Sequence, residues 1–470
     1  MTIDLLIKNG KVVLEGKVTN TDIAIDEGEI VNIGYRKNLP KADEVIDADD
    51  NIVMPGGIDP HSHYETTFMG ETTEENWYEG TRAAAFGGTT TTIDFAIEGE
   101  HGNTPSSAVE NQLRRASQMS AVNFSTHGCI TDFSSYKKVK TEIESIFSKG
   151  ITSLKEHMIY REEDLYIDDW ELLKILQEVG QYGGTVGVHA ENADIGERWR
   201  SNLIDEGKLD PKYQAESKPN FVEKEAVQRA ISISEFADSN LYIAHMTTEE
   251  ATGLVRDARI NGKKVWAETC PQYLTTTKEI YGGELGLYSI CSPPFREGSD
   301  VDALWKGLAD GTISMIGSDH VAFTKEQKEA HSDRFTDVPN GTPQAEVRVP
   351  IVFTEGVKKG RLSLPRFVEV VSTNVAKMFG MYPKKGVISP GSDADIVIID
   401  PDKRKTLNHE DLHMGVDWSL YSGMEIEGWP TITILDGKVI VEEGVFKGEK
   451  GQGDFVRGEM DKEILHSLDY

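Results

Sequence analysis

Residues 52–63 read Ile52-Val53-Met54-Pro55-Gly56-Gly57-Ile58-Asp59-Pro60-His61-Ser62-His63, a short apolar run that breaks on glycine and ends in two histidines. Residues two apart in an extended segment face the same way, so both imidazoles point to one side. The same phrase recurs down the chain. Thr152-Ser153-Leu154 leads into Lys155, Val186-Gly187-Val188 into His189, Leu241 to Ala244 into His245, and Ser314-Met315-Ile316 towards Asp319. Thr89 to Phe95, Val122 to Ser125 and Val265 to Ala267 are further runs of strand length. Between the runs lie stretches with apolar spacing near 3.6, among them 108–119, 168–182, 223–237 and 248–261. Alternation of about eight strands and helices predicts an α/β fold, a (β/α)8 TIM-like barrel over residues 54–385. Chemistry in such a barrel sits where strands end and loops begin. His61, His63, Lys155, His189, His245 and Asp319 would then share one rim.

Both ends of the chain read as β-structure. Asp4 to Ile7 and Lys11 to Leu14 flank Asn9-Gly10, a favoured two-residue hairpin turn. Ile23 to Ile25 and Ile30 to Ile33 flank a second turn at Glu27-Gly28-Glu29. Asp395 to Asp400, Thr431 to Leu435 and Val439 to Val441, the last two joined by Asp436-Gly437, repeat the texture. Residues 1–53 and 386–446 are expected to build one small β-sandwich from both termini. Segment 320–345 reads as a polar loop and 447–470 as a polar tail with some helical character.

Composition narrows the function. Hydrophobic residues are 38% and charged residues 27% of 470, with signs mixed, which is a globular profile rather than a disordered one. No run of about 18 apolar residues occurs, so no membrane-spanning helix is expected. The N-terminal apolar run is cut by Lys8, Asn9 and Gly10, unlike a secretory signal. The net charge of −30 disfavours phosphate backbones and anionic lipid, so neither nucleic acid nor membrane is an expected partner. Cys129, Cys270 and Cys291 are odd in number and far apart, which implies no disulfide framework and fits a reducing cytoplasm.

Imidazoles and a carboxylate suit Zn²⁺, with Mn²⁺ or Fe²⁺ also fitting the donor set. Taken singly, a strand-end histidine merely hydrogen-bonds a loop; four of them with an aspartate on one rim favour metal. Lys155 is different. Two unit charges about 4 Å apart repel by about 4 kcal/mol at an effective dielectric of about 20, and a dication doubles that. A lysine beside metals should be neutral or chemically altered, and a neutral amine can capture carbon dioxide as a carbamate able to bridge two metals. Taken alone, Lys155 is an exposed strand-end lysine.

Gly57 to His63, Phe68-Met69-Gly70, Ser153 to Tyr160, Val188 to Asn192, Glu268 to Leu274, Cys291 to Pro294, Gly317 to His320 and Pro390 to Asp395 together resemble the cyclic amidohydrolases. Within them the chain is most similar to the dihydropyrimidinase/D-hydantoinase (phenylhydantoinase) group. The resemblance implies two divalent metal ions, zinc above all, and an N6-carboxylated Lys155 bridging them. It implies that His61 and His63 hold one metal, completed by Asp319, and that His189 and His245 hold the other. A metal-bridging hydroxide would attack the ring carbonyl of a cyclic ureide, a dihydropyrimidine or a 5-substituted hydantoin, and open it to an N-carbamoyl amino acid. Tyr160 would stabilise the oxyanion and Asp319 would shuttle the proton. Ser292 and Asn340 would fix the cyclic amide through backbone groups, with Phe68 and His157 at the substrate. A homotetramer or a dimer is the implied assembly.

The match departs from the pattern in places. Val321-Ala322 follows Asp319-His320 where Cys-Pro is usual, Glu156 and His157 replace apolar residues, Thr342-Pro343-Gln344 replaces a glycine-rich run, and Thr66 stands at a commonly apolar position. A more polar pocket is expected, against the alternative that His157 packs on a loop. His127 and His320 are expected to back the ligand residues or to be structural, Glu268 to anchor a loop, Cys270 and Cys291 to be small buried residues, and His101, His331, His409, His413 and His466 to be solvated. Two other functions stay open: an allantoinase-like or related cyclic amide hydrolase, disfavoured because Tyr64-Glu65 rather than arginine follows His63, and a non-catalytic scaffold of the same fold.

Overall fold

Thr2–Leu14 (β1), Lys17–Asp26 (β2), Glu29–Gly34 (β3), Lys41–Asp47 (β4) and Ile52–Pro55 (β5) open the computed structural model, which describes residues 2–468. The turn at Glu27-Gly28 joins β2 to β3 as expected, both residues having positive φ. Asn9-Gly10 does not turn the chain. β1 runs straight through it with a bulge in its pairing to β2, and the turn comes at Glu15-Gly16. Asn9 sits in the left-handed region at φ 60° where the pairing shifts, as the first residue does in one common class of bulge. Gly10 is there for space: a Cβ on it would lie 2.5 Å from Val53 Cγ2.

The barrel follows. Gly57–Asp59 (β6) leads to a small hairpin, Thr67–Phe68 (β7) and Glu71–Thr72 (β8). Thr89–Ala96 (β9), Asn123–Gly128 (β10), Ser153–His157 (β11), Thr185–His189 (β12), Asn240–Ile243 (β13), Val265–Thr269 (β14) and Met315–Ile316 (β15) complete it. The order is β6-β9-β10-β11-β12-β13-β14-β15, all parallel. The last strand meets the first at the rim, where Asp319 N–H donates to His61 O (2.9 Å) and His63 N–H to His320 O (3.0 Å). Three of the intervening helices show side-chain caps from their own sequence. Thr104, Asp168 and Thr248 accept the Ser107, Glu171 and Ala251 N–H groups and so open helices Pro105–Met119, Asp169–Gln181 and Glu249–Ile260.

Ile396–Thr406 (β16), Glu425–Leu435 (β17), Lys438–Glu442 (β18) and Val445–Phe446 (β19) join the N-terminal strands in one nine-stranded mixed sheet. One face of that sheet closes around Leu5, Ile23, Val53, Ile396 and Ile434. Here a sequence expectation fails. Ile52 to Met54, read as the first barrel strand, lies in this sheet, parallel to β1 and antiparallel to β16. The first barrel strand is β6. The cause is double burial: Val53 faces the terminal core, while Ile52 and Met54 face the barrel core. A strand covered on both faces reads as a continuous apolar run, like a barrel strand.

Two polar segments also turn out ordered. Residues 320–345 contain the helix Lys325–Glu329 and bury Phe323, Lys328, Phe335 and Val338. The tail lies along the barrel, where Val456 N–H donates to Phe124 O (2.8 Å) and Leu465 and Leu468 are buried. Among the described residues, no helix is long and apolar enough to cross a membrane.

Candidate metal centre

Every barrel strand ends at the same rim, and the rim carries the polar residues. His61 and His63 follow β6, Lys155 lies in β11, His189 closes β12, His245 follows β13 and Asp319 follows β15. Tyr160, His245 and Asp319 have φ of 73°, 33° and 50°, a left-handed backbone that non-glycine residues rarely adopt. Such strain gathers where side chains must be aimed.

One cleft is lined by His61, His63, Lys155, His189, His245 and Asp319, and also by Tyr160, Ser292, Asn340, Phe68 and His157. No residue singled out for the site lies elsewhere. His61, His63 and Asp319 bring ligand atoms within 4.8 Å of one another, a group able to hold a metal ion. Asp319 Oδ1 is 3.2 Å from His61 Nε2 and 3.5 Å from His63 Nε2. The His189 and His245 rings lie 4.4 Å apart, and His245 is 5.2 Å from His61. His61 donates through Nδ1 to Glu268 (2.8 Å) and His189 through Nε2 to Glu191 (2.7 Å), which leaves one nitrogen of each ring for the cleft.

Burial would lower the pKa of His61, but Glu268 and Asp319 raise it to about 9; the other three rings go the opposite way. Burial lowers the pKa of His63 and of His189 to about 4 and that of His245 well below its ordinary value, so their lone pairs are free. Burial would raise Asp319, but His61 above all, with His63 and His245, holds it well below the carboxylate range. Burial lowers Lys155 as well. Its side chain is almost wholly buried, with Nζ 5.5 Å from the Phe95 ring centre, and among the described residues it makes no hydrogen bond or ion pair. The buried Nδ1 of His245 has no partner either. A buried amine with no hydrogen-bond partner among the described residues, beside four imidazoles and a carboxylate, suits a metal centre.

Tyr160 sits edge-on to the His189 ring at 5.0 Å, with Phe68 packed on it at 5.2 Å. Burial raises its pKa well above 10, so the phenol keeps its proton and can donate. His157 lines the cleft with a buried, unpartnered Nδ1. Thr66 and Thr342 add polar wall, while Val321, Leu165 and Ile97 keep part of it apolar.

Some supports were not legible. Lys218 reaches Glu191 (2.8 Å) and the Ser292 hydroxyl, and Ser292 donates to the same Glu191 oxygen (2.7 Å). One carboxylate thus ties His189 to Ser292, although no sequence signal pairs residues so far apart. Glu268 anchors more than a loop, since it also accepts from the His245 N–H (3.2 Å). His127 donates to Pro60 O and His320 to Glu75, both structural as expected. His101, expected in solvent, is buried because the 97–102 loop folds back so that Ile97 N–H donates to its Nδ1. His413 stacks on Phe86 at 3.5 Å.

A (β/α)8 barrel with a histidine and aspartate group able to hold a metal on its C-terminal rim defines a class, and sequence comparison agrees with it. The chain belongs to the amidohydrolase family, whose profile matches residues 52–440. It is 39% identical to a D-hydantoinase of Geobacillus stearothermophilus over 457 residues, 96% of each chain. It is 35% identical to a D-phenylhydantoinase of Escherichia coli over 96% of this chain and 98% of that one. A crystal structure of dihydropyrimidinase from Brevibacillus agri superposes with a TM-score of 0.94 at 39% identity, covering 97% and 99% of the two chains. An L-hydantoinase (dihydropyrimidinase) from Arthrobacter aurescens superposes with a TM-score of 0.90 at 31% identity, covering 97% and 100%. Neighbours named for opposite hands share the fold, so the fold does not set the enantiomer.

Proposed function

We propose that this chain is a hydrolase that opens the ring of a cyclic ureide, a dihydropyrimidine or a 5-substituted hydantoin, to an N-carbamoyl amino acid. The observation that carries the reading is a buried, partnerless amine, Lys155, in one cleft with four histidines, Asp319 and a protonated Tyr160.

His61, His63 and Asp319 would hold one divalent ion and His189 and His245 a second, zinc being suited to both sets, with Lys155 carboxylated between them. When bound, the ions supply Lewis acidity at the ring carbonyl and a water that is nucleophilic at neutral pH. Tyr160 donates its O–H to the carbonyl oxygen as charge builds there. Asp319, held ionised, accepts the proton of the attacking water and returns it to the departing ring nitrogen. One C–O bond forms and one C–N bond breaks, with no co-reactant beyond water. Ser292 and Asn340 stand at the cleft wall to hold the ring amide, with Phe68 and His157 against the ring substituent.

A neutral ring fits better than a carboxylate-bearing one. Lys155 is the one amine among the described residues lining the cleft, and no arginine lines it. Glu65, beyond His63, pairs with Arg115 instead. The assay is zinc-loaded protein against dihydrouracil, unsubstituted hydantoin, phenylhydantoin and allantoin. Opening of dihydrouracil or a hydantoin is expected, and opening of allantoin alone would move the reading to an allantoinase.

A further inference from the structure

Lys328 is a buried amine with no acid beside it. It lies on the short helix Lys325–Glu329, its side chain is wholly enclosed, and no carboxylate is within ion-pair distance among the described residues. Its Nζ instead donates to three backbone carbonyls: Ile290 O (3.1 Å), Pro339 O (2.9 Å) and Gly341 O (2.8 Å). The Trp418 ring lies 5.7 Å away on another side.

Those carbonyls belong to two segments far apart in the chain. One leads into Cys291 and Ser292, the other carries Asn340, Gly341 and Thr342, and both line the cleft. One direct bond joins them, Gly341 N–H to Ile290 O (3.0 Å). Among the described residues, Pro339 O and Gly341 O have no other donor. Burying an amine is costly and leaving carbonyls unpaired is costly too, so each group holds the other in place. Burial pulls the lysine pKa down to about 7, the mark of that cost. A methionine would fill the space without it.

We propose that Lys328 is a positioning residue for substrate, fastening the Ser292 segment to the Asn340 segment and so setting the gap that a planar cyclic ureide must span. A ureide edge alternates N–H and C=O, so its backbone partners must stand at a fixed separation, and a displacement of about 1 Å forfeits hydrogen bonds. The inference rests on the ring-opening reading above.

The test is K328M in the full-length, zinc-loaded protein, assayed on the ring that the wild type opens best. KM is expected to rise about tenfold to a hundredfold, the range for buried acceptors left unpaired, with kcat within about threefold and metal content unchanged. K328A leaves room for a small amine, and added propylammonium should lower its KM where propanol does not. If K328M does not accumulate in folded form, K328Q, which keeps two N–H donors, should show a smaller KM rise of the same kind. A folded variant with wild-type KM, or a loss confined to kcat, overturns the inference while ring opening stands. A wild type that opens none of the four rings overturns both.

Discussion

Glu268 accepts from the Nδ1–H of His61 and from the backbone N–H of His245, so one carboxylate orients two rings of the centre. Removing such a support typically costs about 10- to 100-fold in metal affinity. Glu268→Gln is expected to show that loss by competition with a chelator, with the fold retained by circular dichroism; unchanged affinity would reduce Glu268 to a loop anchor. Tyr160→Phe is expected to lose about 10² to 10³ in kcat, as for one oxyanion donor, with metal content intact. Loss of metal instead would make Tyr160 structural. The candidate ligands could be placed from sequence because each follows an apolar run closely, so placing the strand placed the residue on the cleft. Glu191, Lys218 and Lys328 could not. Their partners are tertiary, such as Ser292 at 101 residues from Glu191, and no local pattern encodes them.

Asp94 in β9 accepts from Tyr64 N–H (2.8 Å) and from the Gln112 side chain (2.9 Å), tying the strand to the loop after His63 and to helix Pro105–Met119. Burial lifts its pKa to about 8. The folded chain therefore keeps a proton that the unfolded chain releases near pH 3.8. That contribution to stability is whole below pH 3.8 and is lost as pH rises through 8. The lead of the wild type over Asp94→Asn in unfolding midpoint is expected to shrink between pH 5 and pH 8.5, and parallel curves would show that Asp94 is ionised in the fold. Strands were legible from short apolar runs, but the sheet they join was not. β5 satisfied the barrel pattern because both its faces are covered, and Asn9-Gly10 matched a hairpin turn where close approach to Val53 requires glycine instead.

At the scale of the whole molecule, the barrel is sealed at its rim by bonds between the loop after β6 and the loop after β15, the two that carry His61, His63 and Asp319. Ions bound there would join the same two loops, so chelation is expected to lower the thermal midpoint as well as abolish turnover, by linkage between binding and folding. Activity lost at an unchanged midpoint would place the ions outside the closure. The polar sequence of the tail concealed that it packs on the barrel through spaced apolar residues: Phe455 meets Phe124 of β10, and Leu465 and Leu468 join the cluster around Ile58, Tyr242 and Phe379. The most direct measurement is anomalous diffraction at the zinc edge from crystals grown with zinc and bicarbonate. Two peaks are expected, one beside His61 and His63 and one beside His189 and His245, with continuous density from Lys155 Nζ to both. A single peak or none, with Lys155 ending as a bare amine, would contradict the binuclear centre.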